Sequence, residues 1–270
     1  MRPSEVTHVL YHAECPDGFG AAYAAWKVLQ DRAVYLPVAH GQPPPELPAN
    51  AHVAIVDFSY QREVILNIKE QVADLVVLDH HATAQDELVG LSWAEFDMNK
   101  SGARLAWEFW HPDEDLPPLL AYVEDKDLWL WRLEQSAEVS IALHSYPMDF
   151  AVWDGLDLDH LKLEGVALRR LQEQIVSSAV ARARMETLFG HRVPVVNASD
   201  FRSEIANRLC SLHPECAFAA AYHYDKAGEL CWSLRSVGDF DVAALARLAG
   251  GGGHKNASGF NGQPPEMSAR

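Results

Sequence analysis

The stretch that decides the fold is VVLDHHATA, residues 76–84. Its apolar residues predict a short buried strand over 75–78, which ends in Asp79. His80 and His81 follow directly, so three side chains that can bind metals or carry protons stand at the end of one strand. An aspartate after a strand often only caps the next helix, so this triplet alone does not define a site.

The same arrangement recurs twice upstream. Strands predicted at residues 6–11 and 53–56 are followed by His12 and Asp57, and Asp17 lies just beyond the first of them. Helical patterns separate these strands, which predicts parallel pairing in a doubly wound sheet. Ligands bind at the carboxyl ends of the strands in such sheets. We therefore expect these side chains to gather at one edge.

The rest of the pattern predicts an α/β fold with two domains. Residues 1–150 should form a doubly wound, mostly parallel sheet, because strands alternate with helices there. An amphipathic pattern predicts a helical connector over 151–190. Residues 191–270 should form a smaller α/β domain with a mixed sheet, since a predicted hairpin turns near residue 226.

Composition narrows the class of protein. Hydrophobic residues make up 49% and charged residues 22% of the 270 residues, which suits packed cores and excludes global disorder. The formal net charge is −16. Tight binding to long duplex DNA usually requires a basic face, so long duplex DNA is not an expected partner. Solubility explains the acidity equally well.

No membrane partner is expected either. The sequence has no apolar run near the roughly 18–20 residues that span a bilayer, and its first residues lack the features of a signal peptide. Four cysteines occur without a C-x-x-C pair, which argues against a structural zinc cluster. We expect free thiols and a cytoplasmic location.

The side chains at the predicted sheet edge suit metal chemistry. Histidines mixed with carboxylates favour ions such as Mn²⁺, Mg²⁺ or Fe²⁺. Two such ions can share a bridging carboxylate and a bridging water. The ions lower the pKa of that water, and the resulting hydroxide can attack phosphorus.

Here the sequence resembles a known family. VVLDHHATA is similar to the signature of the DHH phosphoesterases, and other motifs follow in the family's order over nearly the whole chain. These are YHAECPDGFGAA at 11–22, IVDFS at 55–59, AYVEDKDLW at 121–129, and SLRSVGDFDVAALARLAGGGGHKNASGF at 233–260. The last resembles the DHH-associated domain. The resemblance implies a metal-dependent phosphohydrolase of the oligoribonuclease or exopolyphosphatase-related type.

The resemblance also implies roles for the residues at the sheet edge. One metal would be bound by His12 and Asp57. The other would be bound by Asp17, Asp57, His80 and Asp125, with Asp57 bridging. Asp127 is a rival of Asp125, because the two carboxylates stand two residues apart. Catalytic support would come from Asp79, which holds the ligands, and from His81, which faces the phosphate.

Cys15 departs from the family pattern. Many members have an aspartate two residues before the position of Asp17, where this chain has Cys15. As a thiolate ligand Cys15 would favour a softer ion, whereas as a packed residue it would leave the first metal weakly held. The expected cofactor is Mn²⁺, as one or two ions.

Two segments are candidates for substrate binding. Lys100 and Ser101 precede a predicted helix, whose free N–H groups could accept phosphate, although Ser101 could equally be a simple cap. Near the C-terminus, Arg235 and a glycine loop placed between two predicted helices offer donors for a second phosphate. The residues of this loop that we expect to bind are Gly251, Gly252, Gly253 and His254.

The function predicted from these features is hydrolysis of phosphodiesters in short oligonucleotides or small nucleotides. A polyphosphate- or pyrophosphate-cleaving enzyme is the first alternative, because a metal site alone does not distinguish an ester from an anhydride. A non-catalytic nucleotide-binding protein is the second. The sequence leaves open RNA versus DNA and the oligomeric state, a homodimer included.

Overall fold

The computed structural model describes residues 1–264, and the chain divides into two compact units, Met1–Arg169 and Arg170–Arg270. The first unit is built on a five-stranded sheet of order β2-β1-β3-β4-β5, in which every pair of neighbours is parallel. Its strands are β1 (His8–His12), β2 (Val34–Val38), β3 (His52–Val56), β4 (Asp74–Asp79) and β5 (Ala94–Phe96). The predicted parallel sheet is therefore confirmed.

Helices cover both faces of this sheet. They are α1 (Pro16–Leu29), α2 (Arg62–Gln71), α3 (Ala82–Leu88), α4 (Gly102–Trp110), α5 (Pro118–Asp127), α6 (Ser136–His144) and α7 (Phe150–Asp154). Alternate residues of β3 and β4 enter opposite cores: one core contains α1 and α4, and the other contains α2. Burial on both faces explains why these strands are almost continuously apolar.

A long helix, α8 (Leu158–Val180), crosses from the first unit into the second. We predicted a helical connector over 151–190, but the helix ends at Val180 and strand β6 (Arg184–Leu188) follows. Most residues of β6 are exposed or half-buried, and Leu188 at its end is buried. The expected connector over 151–190 thus includes a strand of the second unit.

The second unit holds a six-stranded mixed sheet of order β10-β11-β9-β8-β7-β6. Its further strands are β7 (His191–Asn197), β8 (Ala219–Tyr224), β9 (Leu230–Arg235), β10 (Gly252–His254) and β11 (Ala257–Asn261). Within this second sheet, as far as it is described, only β7 and β8 pair in parallel, which confirms the mixed sheet. Helix α9 (Arg202–Leu212) packs on one face and α10 (Val242–Leu248) on the other.

Two local predictions for this unit had different outcomes. The hairpin near residue 226 is confirmed by the antiparallel pairing of β8 with β9. The glycine stretch was expected between two helices, but residues 252–254 form β10 and pair with β11. Helix propensity gave no warning of this, because glycine disfavours both helix and strand. Within residues 1–264 no helix combines the length and apolar character needed to cross a membrane.

Candidate metal centre

The topology of the first unit brings its polar strand ends together. His12 is the last residue of β1, Asp57 follows β3, and Asp79 ends β4, with His80 directly after it. Strand order reverses between β1 and β3, since β2 lies beyond β1 on one side and β4 beyond β3 on the other. Such a switch point at the carboxyl edge of a parallel sheet is where ligands bind.

A first group of potential ligands lies at this switch point. The donor atoms of His12, Cys15 and Asp57 all lie within 4.8 Å of one another. Nδ1 of His12 is 3.5 Å from Oδ2 of Asp57. Cys15 precedes α1 and makes no side-chain capping bond to that helix. The thiol therefore faces the site that the histidine and the carboxylate form.

A second group lies on the other side of Asp57. The donor atoms of Asp17, His80 and Asp127 also lie within 4.8 Å of one another. Nε2 of His80 is 3.1 Å from Oδ1 of Asp57, and 3.5 Å from Oδ2 of both Asp17 and Asp127. One oxygen of Asp57 thus faces each group, as a bridging ligand requires.

The bonding state of Asp57 fits a cation. Both of its carboxylate oxygens are buried and make no well-aligned hydrogen bond among residues 1–264, although Nε2 of His80 and Nδ1 of His12 lie 3.1 Å and 3.5 Å from them as ion-pair partners. A buried carboxylate is costly unless it is paired in this way or coordinates a metal. The donor set of imidazoles, carboxylates and one thiol is suited to divalent ions.

Electrostatics support the same conclusion. Burial and the charges of Asp57 and Asp127 raise the pKa of Asp17 well above its usual range. Burial opposes charge on His80 too, but the adjacent Asp57, Asp127 and Asp17 raise its pKa to about 11. Burial and the same carboxylates raise the pKa of Cys15. The site therefore has excess negative charge that protons offset in the absence of a cation.

The backbone around Asp57 is specialised for this placement. Asp57 has φ of 53°, a left-handed conformation uncommon for non-glycine residues. Its side chain packs directly on Gly102, where an added Cβ would overlap Asp57 Cβ and lie 2.7 Å from Oδ1. Strain of this kind concentrates at functional sites.

The start of α4 holds a ligand carboxylate. Gly102 N donates to Oδ2 of Asp17 at 2.6 Å, and Ala103 N donates to Oδ1 at 2.9 Å. Ser101 is buried and caps the helix by accepting a hydrogen bond from Arg104 N at 3.2 Å. These N–H groups therefore bind Asp17, which favours the simple cap over the phosphate site among the two alternatives that the sequence left open.

Lys100 lies beside Glu108 instead of in the cluster. Its Nζ donates to Oε2 of Glu108 at 2.7 Å and is 3.6 Å from Oδ2 of Asp97. Both partners are acidic, so the lysine charge is already paired locally. The predicted role of Lys100 as a phosphate donor has no geometric support in this arrangement.

Asp79 and His81 form a pair beside the ligands. Nδ1 of His81 lies 2.7 Å from Oδ1 of Asp79, whose other oxygen accepts a hydrogen bond from Ser59 Oγ at 2.7 Å. His80 N also donates to Oδ1 of Asp79 at 2.8 Å. Asp79 thus contacts the ring of His81 and the backbone of His80, which is the supporting position that the resemblance implied.

The choice between Asp125 and Asp127 requires a correction. Both oxygens of Asp125 accept hydrogen bonds from the backbone, at 2.9 Å and 3.1 Å from Arg132 N and 3.3 Å from Leu133 N. The carboxylate that reaches the cluster is that of Asp127. Both lie near the end of α5, where a shift of two residues turns a side chain to the other side of the helix.

His40 is a nearby residue that sequence reasoning missed. It lies two residues beyond β2, and its ring centroid is 5.4 Å from that of His12 and 6.5 Å from that of His81. It also contacts Phe58, with centroids 4.6 Å apart. Desolvation and the charges of His12 and His81 lower its pKa to about 4. The sequence feature that could have indicated His40 is its position directly beyond β2, the strand that pairs with β1.

In the second unit, Arg235 and His254 lie on one face of the sheet. Both pair across neighbouring strands with Ala257, and directly opposed residues point to the same side. Arg235 donates to Ser203 Oγ at 2.6 Å and to Leu234 O at 2.8 Å.

The neighbouring glycines are required by close strand packing. An added Cβ on Gly251 would overlap the carbonyl of Gly259, and Gly253 has φ of 132°. Gly252 pairs with Gly259, so the glycine-rich edge lies beside the row that contains Arg235. These glycines therefore have a structural role whether or not they bind an anion.

Comparison with known proteins places the chain in a family. No protein-family model matches the sequence. An uncharacterized protein of Acanthamoeba polyphaga mimivirus is 30% identical over 283 residues, which cover 95% of this chain and 67% of that protein. Oligoribonuclease NrnB of Bacillus subtilis is 35% identical over 105 residues, 38% of this chain and 23% of that enzyme.

Solved structures share the fold at low identity. An exopolyphosphatase-related protein from Bacteroides fragilis has a TM-score of 0.56 at 16% identity, with 98% of this chain and 88% of that chain covered. The pGpG-specific phosphodiesterase PggH from Vibrio cholerae has a TM-score of 0.50 at 14% identity, and the match covers 94% of this chain and 92% of that chain. RecJ in complex with Mn²⁺ from Thermus thermophilus also has a TM-score of 0.50 at 14% identity, and the match covers 96% of this chain and 50% of that chain.

The cluster at the switch point of this fold has the donor set of a divalent-metal site. The chain belongs to the same family as the mimivirus protein, and its motifs resemble those of the DHH phosphoesterases. Among the predicted ligands, the structure brings together His12, Cys15, Asp17, Asp57 and His80, and it adds Asp127.

Proposed function

We propose that this protein is a phosphodiesterase that hydrolyses short oligonucleotides or small phosphorylated nucleotides. The observation that carries the proposal is the buried carboxylate of Asp57, which turns one oxygen towards each of two groups of ligand atoms. A carboxylate in this position suits the bridge of a two-ion site for phosphoryl chemistry.

Two ions would be held here. One would be bound by the first group, His12, Cys15 and Asp57. The other would be bound by the second group, Asp17, His80 and Asp127, together with Asp57. Mn²⁺ is our choice, because imidazole and carboxylate ligands suit it and the thiol does not exclude it. When bound, the ions supply an activated water and polarise the phosphoryl oxygens.

The remaining polar residues would orient the substrate. Asp79 holds Nδ1 of His81 at 2.7 Å, so contact with a phosphoryl oxygen or a leaving group would be made through Nε2. The hydrogen bond from Ser59 keeps Asp79 in place. His81 would therefore hold or transfer a proton at Nε2.

The second unit would bind another part of the substrate. Arg235 and His254 share one sheet face, and a guanidinium can bind a phosphate with two parallel donors. Residues 1–150 would then be the catalytic domain, 151–190 the connector, and 191–270 the substrate-binding domain. The net charge of −16 favours such local binding over tracking of a long duplex.

The names of the relatives agree with short nucleic acid as substrate, since NrnB is an oligoribonuclease and PggH is specific for pGpG. Phosphoanhydride hydrolysis is the second candidate, because the Bacteroides protein is exopolyphosphatase-related. The four free cysteines suit a reducing compartment, which for this proposal is the cytoplasm.

One assay distinguishes these functions. Purified protein with Mn²⁺ is incubated with di- to pentanucleotides, bis-phosphorylated nucleotides and inorganic polyphosphate, and products are resolved by chromatography. We expect mononucleotides from the short oligonucleotides. Release of phosphate from polyphosphate alone would favour the second candidate. Binding without turnover of any substrate would identify a non-catalytic nucleotide-binding protein.

A further inference from the structure

Two tryptophans directly after the metal-ligand candidate Asp127 have no role in the site as described. Trp129 and Trp131 are half-buried, and their rings meet edge to face with centroids 4.9 Å apart. Neither side chain belongs to any of the hydrophobic clusters formed by residues 1–264. Large aromatic side chains outside the core need another explanation.

The backbone that presents these rings is unusual. Trp129 and Trp131 have φ of 56° and 53°, a left-handed conformation that is rare for bulky residues. Such strain persists only where the surroundings impose it, and it is concentrated at binding sites.

Asp125 imposes this conformation. Its carbonyl oxygen accepts hydrogen bonds from Leu130 N at 2.8 Å and Trp131 N at 3.4 Å, while its carboxylate binds Arg132 N and Leu133 N. The segment 128–133, here called the tryptophan turn, is therefore anchored chiefly by Asp125, with further backbone bonds from Leu128 N to Glu124 O and from Trp129 N to Lys126 O. Asp125 stands two positions before Asp127, so the candidate metal ligand and the tryptophan turn are both positioned by Asp125.

The charge beside the rings is positive. Nζ of Lys126 lies 4.1 Å from the ring centroid of Trp129 and 5.5 Å from that of Trp131. A cation next to aromatic faces suits a ligand that combines a flat π system with a phosphate. A nucleotide has both parts.

We propose that Trp129 and Trp131, with Lys126, form a subsite that stacks a nucleobase of the substrate beside the metal centre. The proposal deepens the proposed function and rests on it for the identity of the substrate. Two residues span at most about 7 Å, so the backbone of Trp129 stays within about that distance of the backbone of Asp127. A base could thus stack while its phosphate lies at the ligands. Stacking would occur without base-specific hydrogen bonds, which predicts tolerance of different bases.

The chain offers a matched control. Trp93 also has a lysine near its ring, with Nζ of Lys69 at 6.0 Å, but it precedes β5 and so lies at the opposite, amino edge of the same sheet. A substitution there removes a tryptophan and a cation–π contact without touching the metal edge. We therefore compare Trp129→Leu and Trp131→Leu with Trp93→Leu, and add Trp129→Tyr as a conservative variant.

The test measures binding of products, which needs no turnover. Affinities of AMP, CMP and ribose 5-phosphate for the Mn²⁺-loaded protein are measured by calorimetry. We expect the nucleotides to bind roughly tenfold more tightly than ribose 5-phosphate, a difference within the range of base–aromatic stacking. Trp129→Leu and Trp131→Leu should reduce this ratio towards one without weakening ribose 5-phosphate. Trp129→Tyr and Trp93→Leu should keep it.

An unchanged ratio in both leucine variants would overturn the subsite, as would a wild-type protein that does not prefer nucleotides. A shift from dimer to monomer in the leucine variants, with the ratio unchanged, would assign the rings to an interface between copies. Hydrolysis of bis-p-nitrophenyl phosphate is measured in parallel. Tryptophan-dependent nucleotide binding without hydrolysis would retain the subsite and reject the phosphodiesterase.

Discussion

Gly102 and Asp57 are packed so closely that the first turn of α4 determines where the shared carboxylate lies. An added Cβ at Gly102 would overlap Cβ of Asp57 and approach Oδ1 to 2.7 Å. The same turn binds Asp17 through two backbone N–H groups. One helix start therefore positions a ligand from each group of the site.

Gly102→Ala should displace Asp57 and weaken metal binding. A ligand moved by about 1 Å can cost roughly 100-fold in rate, so we expect hydrolysis to fall at least tenfold. Gly155→Ala is the matched control, because the atoms nearest to its added Cβ are at 3.6 Å. Mn²⁺ titration by calorimetry and thermal melts of both variants check this. Full activity in Gly102→Ala would remove the positioning role.

Asp125→Asn and Asp127→Asn should separate support from ligation. Asp125 accepts backbone hydrogen bonds, and bonds to a charged group contribute about 1.5–3 kcal/mol each, so Asp125→Asn should lower the melting temperature by several degrees. Asp127→Asn should lose metal affinity while stability without metal stays equal or rises. Burial and the charge of Asp57 raise the pKa of Asp127, so removal of its charge relieves the metal-free site. The reverse pattern in the melts and titrations would restore Asp125 as the ligand.

Cys15 tests the identity of the first metal. If its thiolate binds, Cys15→Ser should weaken metal affinity and Cys15→Asp should shift preference towards Mn²⁺ or Mg²⁺ over softer ions. Sγ of Cys15 lies within 4.8 Å of donor atoms of His12 and Asp57. The substitutions therefore change the donor atom at this position rather than the geometry of the site. Titrations of the three proteins with Mn²⁺, Mg²⁺ and Zn²⁺ decide the question. Identical affinities would show that Cys15 only packs.

Arg235→Ala should reduce kcat/KM on oligonucleotides while leaving Mn²⁺ stoichiometry unchanged. Loss of remote binding energy impairs orientation of the reacting group, so the defect should exceed that on bis-p-nitrophenyl phosphate, which has no second phosphate. Arg192→Ala, an exposed arginine of β7 in the same sheet, is the control. Equal losses on both substrates, or lost metal, would contradict the separation of roles.

The predictability of the site followed from how each residue is placed. His12, Asp57, Asp79 and His80 were predictable because each stands at the end of an apolar strand, and parallel pairing then brings the ends together. Asp125 and Asp127 could not be distinguished in this way. Their roles depend on the turn that follows α5, whose hydrogen bonds do not appear in any periodic pattern.

Other features depended on tertiary contacts. The sequence left open whether the N–H groups of α4 bind phosphate, because Asp17 reaches them from 85 residues earlier in the chain. The glycines of β10 have low strand propensity, and their pairing with β11 results from contacts across the sheet. Local patterns predicted the sheet edge, whereas the partners of individual polar groups depended on residues distant in sequence.

The central claim is that one carboxylate serves both halves of a metal centre that hydrolyses phosphodiesters. The most direct test compares wild-type protein and Asp57→Ala, each freed of metal by chelation and then titrated with Mn²⁺ while dinucleotide hydrolysis is followed. We expect saturable activation of the wild type. The variant should still fold, with a lower melting temperature without metal because His12 and His80 lose their carboxylate partner, yet show no activation, since a lost ion costs several kcal/mol of transition-state stabilisation. Retention of more than about a tenth of the wild-type rate by Asp57→Ala would contradict the claim, because it corresponds to a loss of less than about 2 kcal/mol of transition-state stabilisation.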